Sequence, residues 1–164
     1  MRRVFFLTVV FSFGIFGCSS GQPRISAIVN QNPSLAGNLP ANPLQWKVIT
    51  SALDQAGATM STLYGNDAAV DYVRTHSQHE FPTGSVVSLV TWTQCADPRW
   101  FGARIPEQVK SVEFVTVGAT SDGQTTFSYE LYTGTPLKMS SARISATPDE
   151  RAAYLLAQRA AVMP

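Results

Sequence analysis

Two histidines and a glutamate make up the only cluster of familiar metal ligands in the chain, His76-Ser77-Gln78-His79-Glu80. Imidazoles three residues apart can share one side of a helical turn. Glu80 would add a carboxylate oxygen, giving a donor set that a divalent metal such as zinc accepts. The same residues stand between a helix pattern and the turn Phe81-Pro82-Thr83-Gly84. Polar residues in such a setting face water, which favours a solvated loop over a metal site. Nucleophilic catalysis has residue types without a motif: no G-x-S-x-G elbow stands between a strand pattern and a helix pattern. No glycine-rich phosphate loop is present. Cys95 and a distant histidine form a nucleophilic pair on composition alone, and a lone small thiol is more often buried and inert.

Cys18 carries a clearer signal. Met1-Arg2-Arg3 is a short basic head, and residues 4–16 are an apolar run of about a dozen residues, the pattern of a secretory signal. Spanning a bilayer takes roughly 20 apolar residues, more than this run supplies. Its end, Ile15-Phe16-Gly17-Cys18, is similar to the lipobox read by lipoprotein signal peptidase, with Phe16 bulkier than the residue usual there. That enzyme needs a small residue at the cut and a thiol to carry diacylglycerol. The expectation is cleavage after residue 17 and lipid, palmitate included, on Cys18. Ser19, where an aspartate would signal inner-membrane retention, favours an outer-membrane anchor facing the periplasm. The alternatives are an uncleaved apolar anchor, or an ordinary signal whose cysteine is incidental. Acyl chains contribute about 0.8 kcal/mol per buried CH₂ and stable anchoring needs more than one, a requirement that a triacylated Cys18 meets.

Loss of residues 1–17 removes Arg2 and Arg3 from 12 basic side chains against 11 acidic ones, leaving a mature chain near −1. A general basic surface for nucleic acid is therefore absent. With Cys18 lipidated, Cys95 has no intramolecular partner and no disulfide framework forms. The remaining length suits one domain with a real core.

The elements that would position these residues follow from pattern. Residues 18–43 read as the lipidated cysteine and a flexible tether, because Ser, Gly, Gln and Asn dominate and prolines recur at 23, 33, 40 and 43. An alternative places Ile25, Ile28 and Val29 on an edge strand. The domain then runs over 44–164. The folded unit is expected to begin near 44–49, with strands near 58–64, 85–92, 109–117 and 125–132, where β-branched and aromatic residues concentrate. Phe127, Tyr129 and Leu131 share one face of the last, as do Val112, Phe114 and Thr116 of the one before. Asn66 can cap a helix over 67–74, and Ser121-Asp122-Gly123-Gln124 is a hairpin turn. Thr147-Pro148-Asp149-Glu150 is a capping box opening a helix over 151–163. The class is α+β, an antiparallel sheet with flanking helices.

Residues 46–135 resemble the cytochrome P-460 family. The likeness lies in a strand entering Leu63-Tyr64-Gly65-Asn66, then Ala69-Val70-Asp71-Tyr72, and the Phe81-to-Val86 turn into a strand ending at Trp92. It continues through Trp100-Phe101-Gly102-Ala103-Arg104-Ile105-Pro106, Val109-Lys110-Ser111-Val112-Glu113 and the aromatic strand over 127–132. The resemblance implies a periplasmic c-type haem protein that oxidises hydroxylamine. Covalent haem needs C-x-x-C-H, which supplies two thiols and an axial imidazole. The family's motif lies near its C-terminus. The equivalent stretch here reads Glu150-Arg151-Ala152-Ala153-Tyr154-Leu155, with Arg151 and Tyr154 at the thiol positions and Leu155 at the histidine. No histidine follows His79, and the strand after Gly84 has no lysine for the family's haem cross-link. Covalent haem c is excluded on these residues, and no other cofactor is indicated.

Trp92, Trp100, Phe101, Phe127, Tyr129 and Tyr154 are expected to converge where the macrocycle would lie, as a pocket or, more simply, as aromatic core. Tyr154 and Leu155 would make the C-terminal helix a plug. The expected role is binding, of a small apolar ligand or an envelope protein. A redox protein holding haem or metal non-covalently through His76 or His79 is the alternative, and a homodimer through a sheet edge is a further reading.

Overall fold

The computed structural model describes residue 30 and residues 33–76, 80–141 and 146–161. Six strands form one antiparallel sheet in chain order: β1 (Lys47–Asp54), β2 (Thr59–Gly65), β3 (Val86–Ala96), β4 (Arg104–Ala119), β5 (Thr125–Thr133) and β6 (Lys138–Met139). Helix α1 (Asp67–Thr75) joins β2 to β3, and α2 (Pro148–Leu156) follows β6. The expected α+β architecture is thus observed. β3 and β4 are longer than expected, because Thr93-Gln94-Cys95-Ala96 and Arg104-Ile105-Pro106 also pair, beyond a bulge near Trp92.

Strand alternation sends side chains to two faces, and both faces are covered. On one, Leu63, Val87, Val115 and Val117 pack with Ala69 and Val70 of α1 and with Ala152 and Leu155 of α2. Gly65 lets α1 approach, since a Cβ there would lie 2.8 Å from Ile49 Cδ1 and 3.1 Å from Val70 Cγ2. Asn66 fixes the join. Its Oδ1 accepts from the Ala69 amide at 3.0 Å and the Val86 amide at 3.1 Å, and its Nδ2 donates to the Gly84 carbonyl at 2.8 Å.

On the other face, Val90, Trp92, Val112, Phe114, Tyr132 and Leu137 meet Leu35, Leu39 and Trp46. The stretch 33–46 is therefore a layer of the domain, and the boundary expected at residue 44 moves upstream to at least Pro33. Prolines do not prevent this, because the segment's backbone finds partners on the sheet and at the loop after β5. Leu137 donates its amide to the Ala36 carbonyl at 2.8 Å, Gly37 bridges Leu137, and Trp92 Nε1 donates to the Pro33 carbonyl at 3.0 Å. A flexible tether over 19–32, and a strand through Ile25 and Ile28, fall outside the described residues but for Asn30.

The capping box at α2 forms as its sequence demands: Thr147 Oγ1 accepts from the Glu150 amide while Glu150 takes the Thr147 amide. The helix ends at Leu156, earlier than the expected 163. Beyond it the chain runs to the edge of the sheet, where Ala161 donates its amide to the Ile49 carbonyl at 2.8 Å. Ile49 is the extra residue of a bulge in β1, so its carbonyl is free for that bond.

Candidate functional site

The most concentrated chemistry in the domain lies between α2 and the sheet. Alternation along β4 directs Glu113 to the α2 face, and it is only 2% exposed. A buried carboxylate needs partners to stay ionised. Arg151 of α2 supplies two, its Nε and Nη2 each donating to one carboxylate oxygen at 2.8 Å. Tyr129 of β5 supplies a third, donating its hydroxyl to Glu113 Oε2 at 2.8 Å. The Arg151 guanidinium also sits 4.9 Å from the centre of the Tyr154 ring, a cation–π contact.

The neighbours shift two of these groups, Tyr129 and Arg151. Burial, then the hydrogen bond to the Glu113 carboxylate and its charge, raise the Tyr129 phenol far above the ordinary tyrosine range. Hydrogen bonding to Glu113 holds Arg151 charged, raising it against the lowering effect of burial. Both carboxylate oxygens are taken up by hydrogen bonds donated from the guanidinium and the phenol. The arrangement is a polar lock between helix and sheet, poorly suited to acid–base work.

The structure separates the residues expected to share a pocket. Trp92 is buried in the layer formed with Leu35 and Leu39, while Tyr129 packs on the opposite face of the sheet. Trp100 and Phe101 lie at the β3–β4 turn, largely and wholly exposed, and Tyr154 is half exposed above Arg151. The expected convergence fails because period-two alternation sorts Trp92 and Tyr129 to different faces and the turn carries Trp100 and Phe101 clear of both. Phe127 is part exposed, whereas Leu131 of the same strand is buried. Leu155 is buried and fills the core beside Val87 and Val115, as a plug would; Tyr154 does not.

The metal cluster does not assemble among the described residues. His76 caps the end of α1, its ring stacked on Tyr72 at 4.5 Å and its Nδ1 2.8 Å from Thr75 Oγ1. Glu80 is exposed, and His79 lies outside the described residues. No group of three potential ligands occurs among the described residues. Cys95 is a free, half-buried thiol opposite Ile105, and Cys18 lies outside the described residues. Sequence reasoning missed Glu113. Its signal was an acid at an inward position of an otherwise apolar strand, Val112-Glu113-Phe114-Val115.

A protein-family model described as Cytochrome P460 matches residues 40–148. It stops at the first residue of α2, so Arg151, Tyr154 and Leu155 lie beyond it. A search of curated proteins finds no match.

Proposed function

The chain belongs to the Cytochrome P460 family, and we propose that it is a membrane-anchored lipoprotein whose P460-like domain binds an envelope partner without covalent haem and without catalysis. The observation that carries this reading is the closure of the α2 face by Ala152, Leu155 and the Arg151–Glu113 pair. Covalent haem c would need two thiols and an axial base. Between α2 and the sheet, Glu113, Tyr129 and Arg151 are bonded to one another. These residues do not fit the family's group, and the chain's cysteines, Cys18 and Cys95, are not in a C-x-x-C-H motif. No hydroxylamine chemistry is assigned to them.

An apolar ligand in place of the macrocycle has less support than a partner at the surface, because the aromatic side chains that would line its site are on different faces. Support for the anchor comes from the basic head, the short apolar run and Gly17-Cys18. The test is an absorption spectrum and an intact mass on the full chain, produced in cells that mature c-type cytochromes. The expected product is colourless, with a mass of residues 18–164 plus diacylglycerol and acyl groups. A stoichiometric Soret band would overturn the haem-free reading, and a product still starting at Met1 would overturn the anchor.

A further inference from the structure

We propose that the tip of the β3–β4 hairpin, residues 97–103, enters the headgroup layer of the membrane to which Cys18 is anchored. The inference rests on the lipid anchor proposed above and adds a second contact with the same bilayer. Trp100 is 72% exposed and Phe101 fully exposed, side by side at the outermost point of the longest hairpin in the sheet. Leu53 near the end of β1, before the neighbouring β1–β2 turn, is 64% exposed and stands at the same end of the sheet. Gln94 links the two turns, taking its amide to the Ala58 carbonyl at 3.1 Å and its side chain to the Asp54 carbonyl at 3.3 Å. Water-exposed Trp and Phe at one tip are what a bilayer interface accepts, since the rings bury apolar area among the headgroups.

The backbone of the tip is suited to that place. Ala103 donates its amide to the Trp100 carbonyl at 3.0 Å, Asp97 donates to the Ala103 carbonyl at 2.9 Å, and Gly102 takes the positive φ of 79° that closes the turn. The turn thus meets part of its own hydrogen-bonding demand before it leaves bulk water. Exposed Arg99 and Arg104 flank the aromatic pair, and neither is in an ion pair among the described residues. Their long stems can lie along the rings while the guanidinium groups reach lipid phosphates. The nearest acid, Asp97, is turned back onto the Arg99 amide at 2.8 Å, and Asp54 onto the Gly57 amide at 3.0 Å.

Chain length decides between a membrane and a more distant occupant. Trp92 holds Pro33 by the bond at 3.0 Å, on the strand that leads to the tip. From Trp92 to Ala96 is about 13 Å at roughly 3.3 Å per residue. Fifteen residue steps separate Cys18 from Pro33 in the sequence, a reach of at most about 50 Å. A lipid on Cys18 therefore keeps Pro33, and with it the hairpin, within reach of the bilayer surface.

The test uses the lipidated full chain in phosphatidylethanolamine–phosphatidylglycerol vesicles carrying acyl-brominated lipid, with tryptophan emission as the readout. The bromolipid should quench the Trp100 share of emission, on the order of a third for a chain with three tryptophans. Trp100→Ser should lose that quenching while still floating with the vesicles. Quenching that persists in a chain with no lipid on Cys18 supports the tip and removes the anchor. A lipidated chain that floats with Trp100 unquenched overturns the tip and leaves the anchor standing. Unquenched Trp100 in a dimer that Trp100→Ser/Phe101→Ser makes monomeric assigns the tip to a second copy, and also overturns the proposal.

Discussion

Removing Arg151 tests whether the buried trio fixes α2 to the sheet. Glu113 has 3% of its side chain exposed and Arg151 has 21%, so the two charges are not equally able to recover water. In Arg151→Ala the carboxylate keeps only the Tyr129 hydroxyl and stays buried. Breaking a buried pair in this way costs roughly 3–5 kcal/mol, and partial exposure of Arg151 places the expected loss near 3 kcal/mol. Glu113→Leu removes the group that cannot reach water and leaves a guanidinium that can. It should cost less, about 1–2 kcal/mol. Glu113→Leu with Arg151→Met replaces the pair by apolar groups of similar volume and should fall within about 1 kcal/mol of the wild type. At about 3–5 °C per kcal/mol for a domain of this size, Arg151→Ala should lower Tm by roughly 9–15 °C. Urea unfolding of the wild type, Glu113→Leu, Arg151→Met and their double variant closes the double-mutant cycle. Additive effects, or a loss below about 1 kcal/mol for Arg151→Ala, would show that the pair is not coupled and that apolar packing alone holds α2.

Asn66→Ala removes the N-cap of α1 and both bonds to the β3 entrance, and should cost about 2 kcal/mol by urea unfolding, with no change in m-value. Stability should also fall at alkaline pH. The unfolded phenol ionises near pH 10 while folded Tyr129 keeps its proton well above that, so its contribution is intact below about pH 10 and declines above it. Tyr129→Phe should flatten part of the decline in Tm between pH 9 and pH 11, roughly the range over which the unfolded phenol titrates. Tyr64 and Tyr132, whose phenols burial also raises, retain the rest. Trp92→Phe keeps the ring but loses the bond to Pro33, and limited proteolysis should then cut within 33–43 faster than in the wild type.

Local signals were legible wherever the backbone itself sets the requirement. Asn66 before an acidic first turn gave α1, the Thr147–Glu150 box gave the start of α2, and Asp122-Gly123 gave the β4–β5 hairpin. The end of α2 was not legible. Good helix formers continue past Leu156, yet the bulged Ile49 carbonyl captures Ala161, a tertiary contact that no local pattern announces. The layer over 33–46 was missed for a related reason. Its composition is that of a tether, and only Leu35, Leu39 and Trp46 meet the second core. The family pattern was legible because its turns and strands are spaced by the sheet. The aromatic pocket was misread because residue type was weighed without the face that alternation assigns.

The trio and the tip have different places in the functional argument. The apolar sheet face beside Val87 and Val115 is covered by the chain itself, through Ala152 and Leu155 of α2. Apolar contacts are non-directional and would allow a nine-residue helix to slide along the sheet. The two parallel hydrogen bonds from Arg151 to Glu113 remove that freedom, since a shift of one residue turns the guanidinium away from the carboxylate by about 100°. Arg151 thus has a positional role at the place where the family resemblance would put a thiol. The exposed aromatic pair has no such role, because the Trp100 and Phe101 side chains stand largely clear of the fold. Exposed apolar area kept at the far end of a well-formed hairpin is best explained by what it meets outside the chain. That locates the functional question at the hairpin tip, where the bilayer is the occupant proposed.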